Sequence, residues 1–261
     1  MSPEILSPER PFSLWNIHGL FGSGAVLLSE TNSTHAYMKE HIRELPPGTV
    51  VVADTQNQGR GRHERTWISP RGKNLYFNTL IPLDSIPQKN YSGFTQITAL
   101  TLASVLEESG VKTSVKWPND LLWNEHKICG ILSELFFMNH RPLLSMGIGL
   151  NVNSEAPDYQ DLDRKAASLS MILSKKLNRE VLLNQILRKI EHSLREFAEN
   201  GFTPWLEAWK KMENFAGREA RVIRGETVLT GTIAGINDDG SLQFKTPDEK
   251  IISVYSGDLE I

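Results

Sequence analysis

Apolar residues recur at helical spacing across residues 33–45, STHAYMKEHIREL, where Tyr37, Met38, Ile42 and Leu45 share a face behind the capping candidates Thr31, Asn32 and Ser33. Pro46-Pro47-Gly48 stops that helix. The unbroken apolar run TVVVAD at 49–54 predicts a buried strand, and NLYFNTLIPL at 74–83 predicts a second. Residues 92–109, SGFTQITALTLASVLEES, form an amphipathic helix closed by Gly110. Three strand-like pieces come next: TSVKWP, HKICGILSELFFM and PLLSMGIGLNVN, the first leading into a tight turn at Asn119-Asp120. Residues 154–165, SEAPDYQDLDRK, predict an irregular surface segment, and two helices are expected near 179–199 and 202–214. In the second of these, Trp205, Leu206, Trp209 and Met212 make an apolar stripe that reads as core.

After Gly217 the period changes from helical to alternating: EARVIRG, VLTGTIAGI, SLQFKT and KIISVYS predict short strands, with turns at Arg224-Gly225-Glu226 and Asp238-Asp239-Gly240-Ser241. The pattern predicts an α+β protein: a mixed sheet with helices over residues 1–214, then a small all-β domain over 215–261. A β unit of that size buries too little surface to stand alone and is expected to pack on the larger one.

The chain has 261 residues, of which 39% are hydrophobic and 23% charged, enough apolar material for a sizeable core. A net charge of −3 argues against a general nucleic-acid binder, so any positive site must be local. Cys129 stands alone, which excludes an internal disulfide and fits a buried small hydrophobe in a reducing compartment. Prolines and acids in MSPEILSPERPFSL do not suit a signal peptide, and no run approaches the ~20 apolar residues of a membrane span. A cytoplasmic protein with no membrane partner is expected.

Local positive charge gathers directly after the first predicted strand, in QNQGRGRHERTW at 56–67. Glycines let backbone N–H groups approach a ligand, and arginine presents a planar fork to phosphate or carboxylate. A solvated basic turn, an RGG-like nucleic-acid contact and an anion-closing loop all remain open on this stretch alone. No G-K-[ST] follows, so it is not a Walker A loop. A second unusual stretch is KWPNDLLW at 116–123 with KICG at 127–130. It is either a proline-ended strand and turn, or a pocket edge carrying Lys116, Asn119, Asp120 and Lys127. In GIGLN at 147–151 the glycines permit close strand packing and Asn151 offers an amide. No HExxH or HxxxH spacing and no GxSxG elbow occurs, and Cys129 has no evident histidine partner. Positioning and charge stabilisation are what remain, which suits phosphate chemistry.

Taken in order, GRGRxxxxW (59–67), KWPNDL (116–121), KxxG (127–130) and GxGxN (147–151) resemble the biotin protein ligases, and the resemblance spans roughly residues 25–261. It implies a catalytic domain like that of class II aminoacyl-tRNA synthetases and a C-terminal SH3-like barrel. It also implies two half-reactions. Biotin's carboxylate attacks the α-phosphate of ATP, with Mg²⁺, to give biotinyl-5′-adenylate and pyrophosphate. A lysine of a biotin carboxyl carrier protein domain then takes the biotinyl group and releases AMP.

The same resemblance implies residue roles. Ser33 and Thr34 contact the ureido ring, with His35 standing where the family carries asparagine, and Gln56 adds a further biotin contact. Arg60, Gly61 and Arg62 belong to the ligand-ordering loop. Arg62 holds the reacting carboxylate and phosphate, and Lys127 neutralises the same atoms. Lys116, Asn119 and Asn151 lie on the nucleotide side, Asp120 orients the incoming amine, and Arg65 is expected to be solvated. The ligands of Mg²⁺ are not assigned. About thirty residues precede Ser33, too few for the winged helix-turn-helix of family members that repress transcription, so no sequence-specific DNA binding is expected. A homodimer is left open. The alternative of the same fold is a lipoate or octanoyl attachment enzyme, and a catalytically dead biotin-binding module is the rival from another class.

Overall fold

A computed structural model describes residues 3–7, 9–63, 65–84, 86–160, 162 and 165–261, with the backbone alone at Pro3 and Glu4. Glu64 of the Arg-Gly loop, and Asp161, Asp163 and Arg164 of the expected surface segment, lie outside the described residues. Strand β1 (Ala25–Leu28) precedes helix α1 (Thr34–His41), β2 (Val50–Ala53) and β3 (Leu75–Pro82). Helix α2 (Phe94–Glu108) leads to β4 (Ser114–Lys116), β5 (Asp120–Trp123), β6 (His126–Met138) and β7 (Arg141–Leu150). Helices α3 (Leu169–Leu173), α4 (Arg179–Asn200) and α5 (Leu206–Met212) follow. Strands β8 (Glu219–Arg224), β9 (Thr227–Ile236), β10 (Leu242–Lys245), β11 (Ile251–Val254) and β12 (Asp258–Glu260) come last.

The larger sheet has the order β1-β2-β3-β7-β6-β5-β4. Strands β1 and β2 are parallel and every other neighbouring pair is antiparallel, so the sheet is mixed, as expected for an α+β chain. Its two faces explain the unbroken valines of β2. Val50 and Val52 join the main core with α2 and α4, while Val51 packs with Met38 of α1, Leu80 and Leu143 on the opposite face. A strand covered on both sides has no polar face to show. Ser33 caps α1 by accepting from the backbone N–H of His35 at 3.2 Å. The helix ends at His41 rather than Leu45, yet Tyr37, Ile42 and Leu45 all pack beside Met38 as their spacing predicts. Helices α2 and α4 meet through Phe94 and Phe197, ring centroids 5.0 Å apart, and through Thr101 Oγ1 donating to Ser193 Oγ at 2.8 Å. Gly110, at φ +89°, ends the turn after α2 in a conformation that glycine adopts without strain.

Two expectations change. Asn119-Asp120 is not the reversal: the chain turns at Trp117–Asn119 across a cis Trp117–Pro118 bond, and Asp120 opens β5 in register with Lys116. The next turn lies at Asn124-Glu125, both with positive φ, and sends the chain into β6. Strands β1, β5 and β12 and helix α3 were not legible in the pattern. Each has five residues or fewer.

The C-terminal strands form one antiparallel sheet, β11-β10-β9-β8-β12. Its apolar residues, among them Val222, Ile233, Leu242 and Phe244, belong to the same continuous core as the larger sheet. Trp209 of the predicted stripe is buried in that core, with Trp205, Leu206 and Met212 packed against it. The β9–β10 turn is pressed into the catalytic side. Ser92 Oγ donates to Asp239 O at 2.6 Å, Trp117 Nε1 donates to Gly240 O at 3.3 Å, and a methyl on Gly240 would lie 2.9 Å from Gly93 Cα. Among the described residues no helix is long and apolar enough to cross a membrane.

Candidate active site

A cavity of about 990 Å³ opens between the larger sheet, the Arg-Gly loop and the C-terminal sheet. Every residue that the sequence motifs nominate lines it: Ser33, Thr34, His35 and Gln56 at one end, Arg60, Gly61 and Arg62 on the loop, and Lys116, Asn119, Asp120, Lys127 and Asn151 along the sheet.

The α1 end is tightly wired. Gln56 Oε1 accepts from the Thr34 backbone N–H at 2.8 Å and from Thr34 Oγ1 at 3.2 Å, and its Nε2 donates to Ser69 Oγ at 2.9 Å. Ser69 Oγ in turn donates to Trp67 O at 3.0 Å, which joins the α1 cap to the base of the Arg-Gly loop. The His35 ring is engaged at both nitrogens: Nε2 lies 2.8 Å from Glu134 Oε2, and Nδ1 lies 3.2 Å from Asn78 Nδ2. The bonding network therefore assigns the proton to Nε2, with Nδ1 accepting from Asn78. Burial raises the Glu134 carboxyl, but hydrogen bonds from His35 and Lys39 outweigh it and hold the group below the usual carboxylate range. The ring thus acts inside the protein, and the His35 backbone N–H is held by the Ser33 cap.

The loop itself is a narrow hairpin. Trp67 N donates to Gly59 O at 2.8 Å and Gly61 N to Arg65 O at 2.7 Å, with His63 at φ +50° near its tip. Burial pulls the Arg62 guanidinium below its usual value. Asp258 and then Asp120 oppose that shift, and Arg65 adds to it. Arg62 Nη1 is buried and has no hydrogen-bond partner among the described residues. Arg65, expected to be solvated, is exposed and also places Nη1 2.9 Å from Asp258 Oδ2. Its partner is the first residue of β12, whose approach to the loop no local pattern announces.

Lys127 sits at the centre of the cavity wall. The β5–β6 ladder slips at Leu121/Leu122, so that Ile128 is an extra residue between Lys127 and Cys129. The Cys129 side chain stays in the core, where burial pushes the thiol up, while Lys127 lines the cavity. Lys127 Nζ lies 2.7 Å from Asp120 Oδ1, close enough for an ion pair though not aligned as a hydrogen bond, and 5.5 Å from the centre of the Trp67 ring. That indole is seated on two glycines that are register partners across β6 and β7, Gly130 and Gly149. A methyl on Gly149 would come within 2.6 Å of Trp67 Nε1 and 2.7 Å of Cζ2, and one on Gly130 within 3.0 Å of Cζ3. The motif glycines are therefore a seat for an aromatic wall.

Two nominated amides are tied to the backbone. Asn119 Nδ2 donates to Ile131 O at 2.7 Å, and Asn151 Nδ2 donates to Ala167 O at 3.1 Å and Lys127 O at 3.3 Å. They fix the wall that carries Lys127. Sequence reasoning missed Tyr159, whose phenol burial pushes up to about 12, and the C-terminal lining residues Arg218 and Asp258. Among the described residues no group of three or more His, Cys, Asp or Glu is arranged to hold a metal ion.

Comparison with known proteins adds to this geometry. Residues 27–151 match the biotin/lipoate A/B protein ligase family, and residues 215–261 match the biotin protein ligase C-terminal domain. The bifunctional ligase/repressor BirA of Bacillus subtilis is 34% identical over 238 residues, covering 90% of this chain and 72% of that protein. The biotin–[acetyl-CoA-carboxylase] ligase of Mycobacterium tuberculosis is 26% identical over 241 residues, covering 89% and 87%. Among solved structures, the biotin protein ligase of Aquifex aeolicus in complex with biotin and ATP superposes with a TM-score of 0.79 at 30% identity, covering 91% of this chain and 97% of that one.

Proposed function

The chain belongs to the biotin protein ligase family, and on that premise we propose how its own residues carry out the ATP-dependent attachment of biotin to a carrier-protein lysine through biotinyl-5′-adenylate. In the first step a carboxylate oxygen of biotin attacks the α-phosphorus of ATP, and the bond to the β-phosphate oxygen breaks to release pyrophosphate. In the second, a lysine amine attacks the acyl carbon. The new C–N bond replaces the acyl–oxygen bond, AMP leaves, and the amine loses its proton.

The observation that supports the assignment of roles is that Arg62 and Lys127 line one cavity together with Ser33, Thr34 and Gln56. Two anions repel as they approach, and fixed cations in a site that excludes water lower that barrier most. Arg62, half-buried and with Nη1 in no hydrogen bond among the described residues, holds the reacting carboxylate and α-phosphate. Lys127, steered by Asp120 and the Trp67 face, neutralises the same oxygens. Thr34 and Gln56 exchange their mutual hydrogen bonds for polar atoms of the biotin ring, and Ser33 lies beside them. Lys116 and Arg60 supply charge toward the triphosphate. Asp120 releases Lys127 to the anion and accepts from the incoming amine, with the carrier domain of a biotin-dependent carboxylase as the protein substrate.

Magnesium fits this reading as an ion that arrives on the triphosphate. Of the cavity carboxylates, Asp120 and Asp258 are already ion-paired, and Mg²⁺ asks for one or two protein oxygens at most when phosphates and waters complete its shell. It would add positive charge at the phosphates. The reading also takes the chain to act without sequence-specific DNA recognition, in line with its net charge of −3. Biotin-dependent exchange of labelled pyrophosphate into ATP, followed by avidin detection of a carrier domain, tests the assignment. Exchange with lipoate in place of biotin would overturn it, and so would biotin binding without exchange.

A further inference from the structure

The Arg-Gly loop is fastened at its tip by a residue from the far end of the chain. Asp258 Oδ2 lies 2.9 Å from Arg65 Nη1, and Oδ1 lies 3.4 Å from His63 Nε2 and 3.6 Å from Arg62 Nη1. The carboxylate is 13% exposed and belongs to β12, which pairs with β8. Gly257, just before it, sits so close to β8 that a methyl there would come within 2.6 Å of Val222 Cγ1. Asp258 is therefore held by the C-terminal sheet, and that sheet is itself pinned to the catalytic side at Ser92 and Trp117.

The three partners are not held alike. Arg65 is at contact distance. Arg62 is within Coulomb reach of Asp258, yet its Nη1 has no hydrogen bond among the described residues. One guanidinium anchors the loop and the other is kept close but uncommitted. We infer that Asp258 is a positioning residue that holds the loop over the adenylate through Arg65, assisted by His63, while leaving Arg62 free to turn to the ligand's anion. This rests on the adenylate-forming reading above. It separates two jobs that the loop's arginines share: covering the mixed anhydride against water and binding its charge. When the carboxylate and phosphate arrive, Arg62 exchanges the 3.6 Å approach to Asp258 for a direct bond to them. Arg65 stays, so the cover does not lift with the exchange.

The experiment measures carrier-free AMP release from biotin and ATP, together with the lifetime of the bound adenylate. The proteins are wild type, Asp258→Asn, Asp258→Glu, Arg65→Gln and the double variant Asp258→Asn/Arg65→Gln. Each single neutral variant is expected to raise leakage by about five- to tenfold. The double variant should be no worse than either single one, because both remove the same contact. Asp258→Glu should recover most of the lifetime. Raising salt from 0.1 to 1 M shortens the Debye length from about 10 to about 3 Å, which should speed the wild-type leak and leave that of Asp258→Asn little changed. Thermal melting checks folding, and Arg65→Gln, on a half-exposed loop, keeps the test decisive if Asp258→Asn melts early. Wild-type exchange together with an unchanged adenylate lifetime in Asp258→Asn or Arg65→Gln would overturn this inference and leave the ligase reading standing. Fully additive leakage in the double variant would overturn it as well. Wild type without biotin-dependent exchange would overturn both.

Discussion

Gly149→Ala adds one methyl to the centre of β7, and the structure says where it goes. The atom would lie 2.6 Å from Trp67 Nε1 and 2.7 Å from Cζ2, with Cε2 closer still. Carbon atoms rest about 3.5–4.0 Å apart, so something must move by about 1 Å. The strand is held by β3 and β6 on both sides, through Tyr76 and Gly130, whereas Trp67 ends a loop, so the indole is what moves. Overpacking costs about 1–3 kcal/mol, and replacing a glycine of ordinary φ returns about 0.4–1 kcal/mol by restricting the unfolded chain. Net stability should thus fall by about 2.6 kcal/mol at most. Activity should suffer more. Trp67 lies 5.5 Å from Lys127 Nζ and forms the wall beside it, and a misplacement of about 1 Å at a reacting site costs on the order of 10²-fold.

The assay is kcat/KM for biotin-dependent ATP–pyrophosphate exchange, alongside thermal melting. Gly130→Ala supplies a graded comparison in melting alone, since its methyl would meet the same ring at 3.0 Å but would also meet Lys127 Cε at 3.1 Å and Nζ at 3.2 Å, so its activity reports on Lys127 as well. Gly24→Ala, with nothing within 4 Å of the added atom, should leave both readouts unchanged. Wild-type exchange in Gly149→Ala, or a loss of melting temperature in Gly130→Ala as large as that in Gly149→Ala, would refute the view that these glycines exist to seat Trp67.

Three further outcomes are expected. Arg62→Ala should lower exchange by about 10²–10³-fold, because it removes the cation nearest the developing charge; adenylate that still forms and persists would show the loop arginine to be misassigned. The Cys129 thiol, pushed up by burial, should resist an aromatic disulfide reagent in the native protein and react only as denaturant unfolds it. Because only the unfolded chain releases that proton, stability should fall as pH rises through the ordinary thiol range near ~8.5, and Cys129→Ala should abolish that component of the slope. The Glu180 carboxyl, raised by burial but held lower overall by Arg10 and the Asn16 backbone N–H, stabilises the docked 10–16 segment above the ordinary carboxylate range and loses that stabilisation as pH falls through its depressed value. Protection of the Asn16 amide relative to an unstructured amide at the same pH should therefore fall in acid, and in Glu180→Gln it should be low at every pH.

Much of the fold was legible because its long elements carry period. The β2 valines, the face of α4 and the alternation after Gly217 each follow from burial on one side or on two. The short elements carry none. Strand β5 has four residues, DLLW, and its neighbour Trp117-Pro118 made Asn119-Asp120 look like the turn itself. Its existence depends on the bulge at Ile128, which pairing produces and local propensity does not. At the site, the motif residues were found because glycines, tryptophans and lysines at fixed spacing are rare without cause. Their division of labour was not. The sequence did not show that Asn119 and Asn151, nominated for the nucleotide, also donate to the backbone at Ile131, Lys127 and Ala167, or that His35 faces Glu134 and Asn78.

Arg65 shows why that limit is physical. In QNQGRGRHERTW its neighbours are polar, glycine or charged, so every local rule makes it a solvated cation. What fixes it is a carboxylate on a three-residue strand with no pattern of its own, placed there by pairing Asp258 with Ile223. A charge pair between segments so far apart in the chain exists only once both sheets have formed around the shared core. The same loop that reads as a mobile arginine patch in isolation is, in the folded protein, held between an anchor that stays and an anion that comes and goes. A cation that changes partners during the reaction need only be near its resting carboxylate, as Arg62 is. The cation that keeps the loop in place must touch it, as Arg65 does.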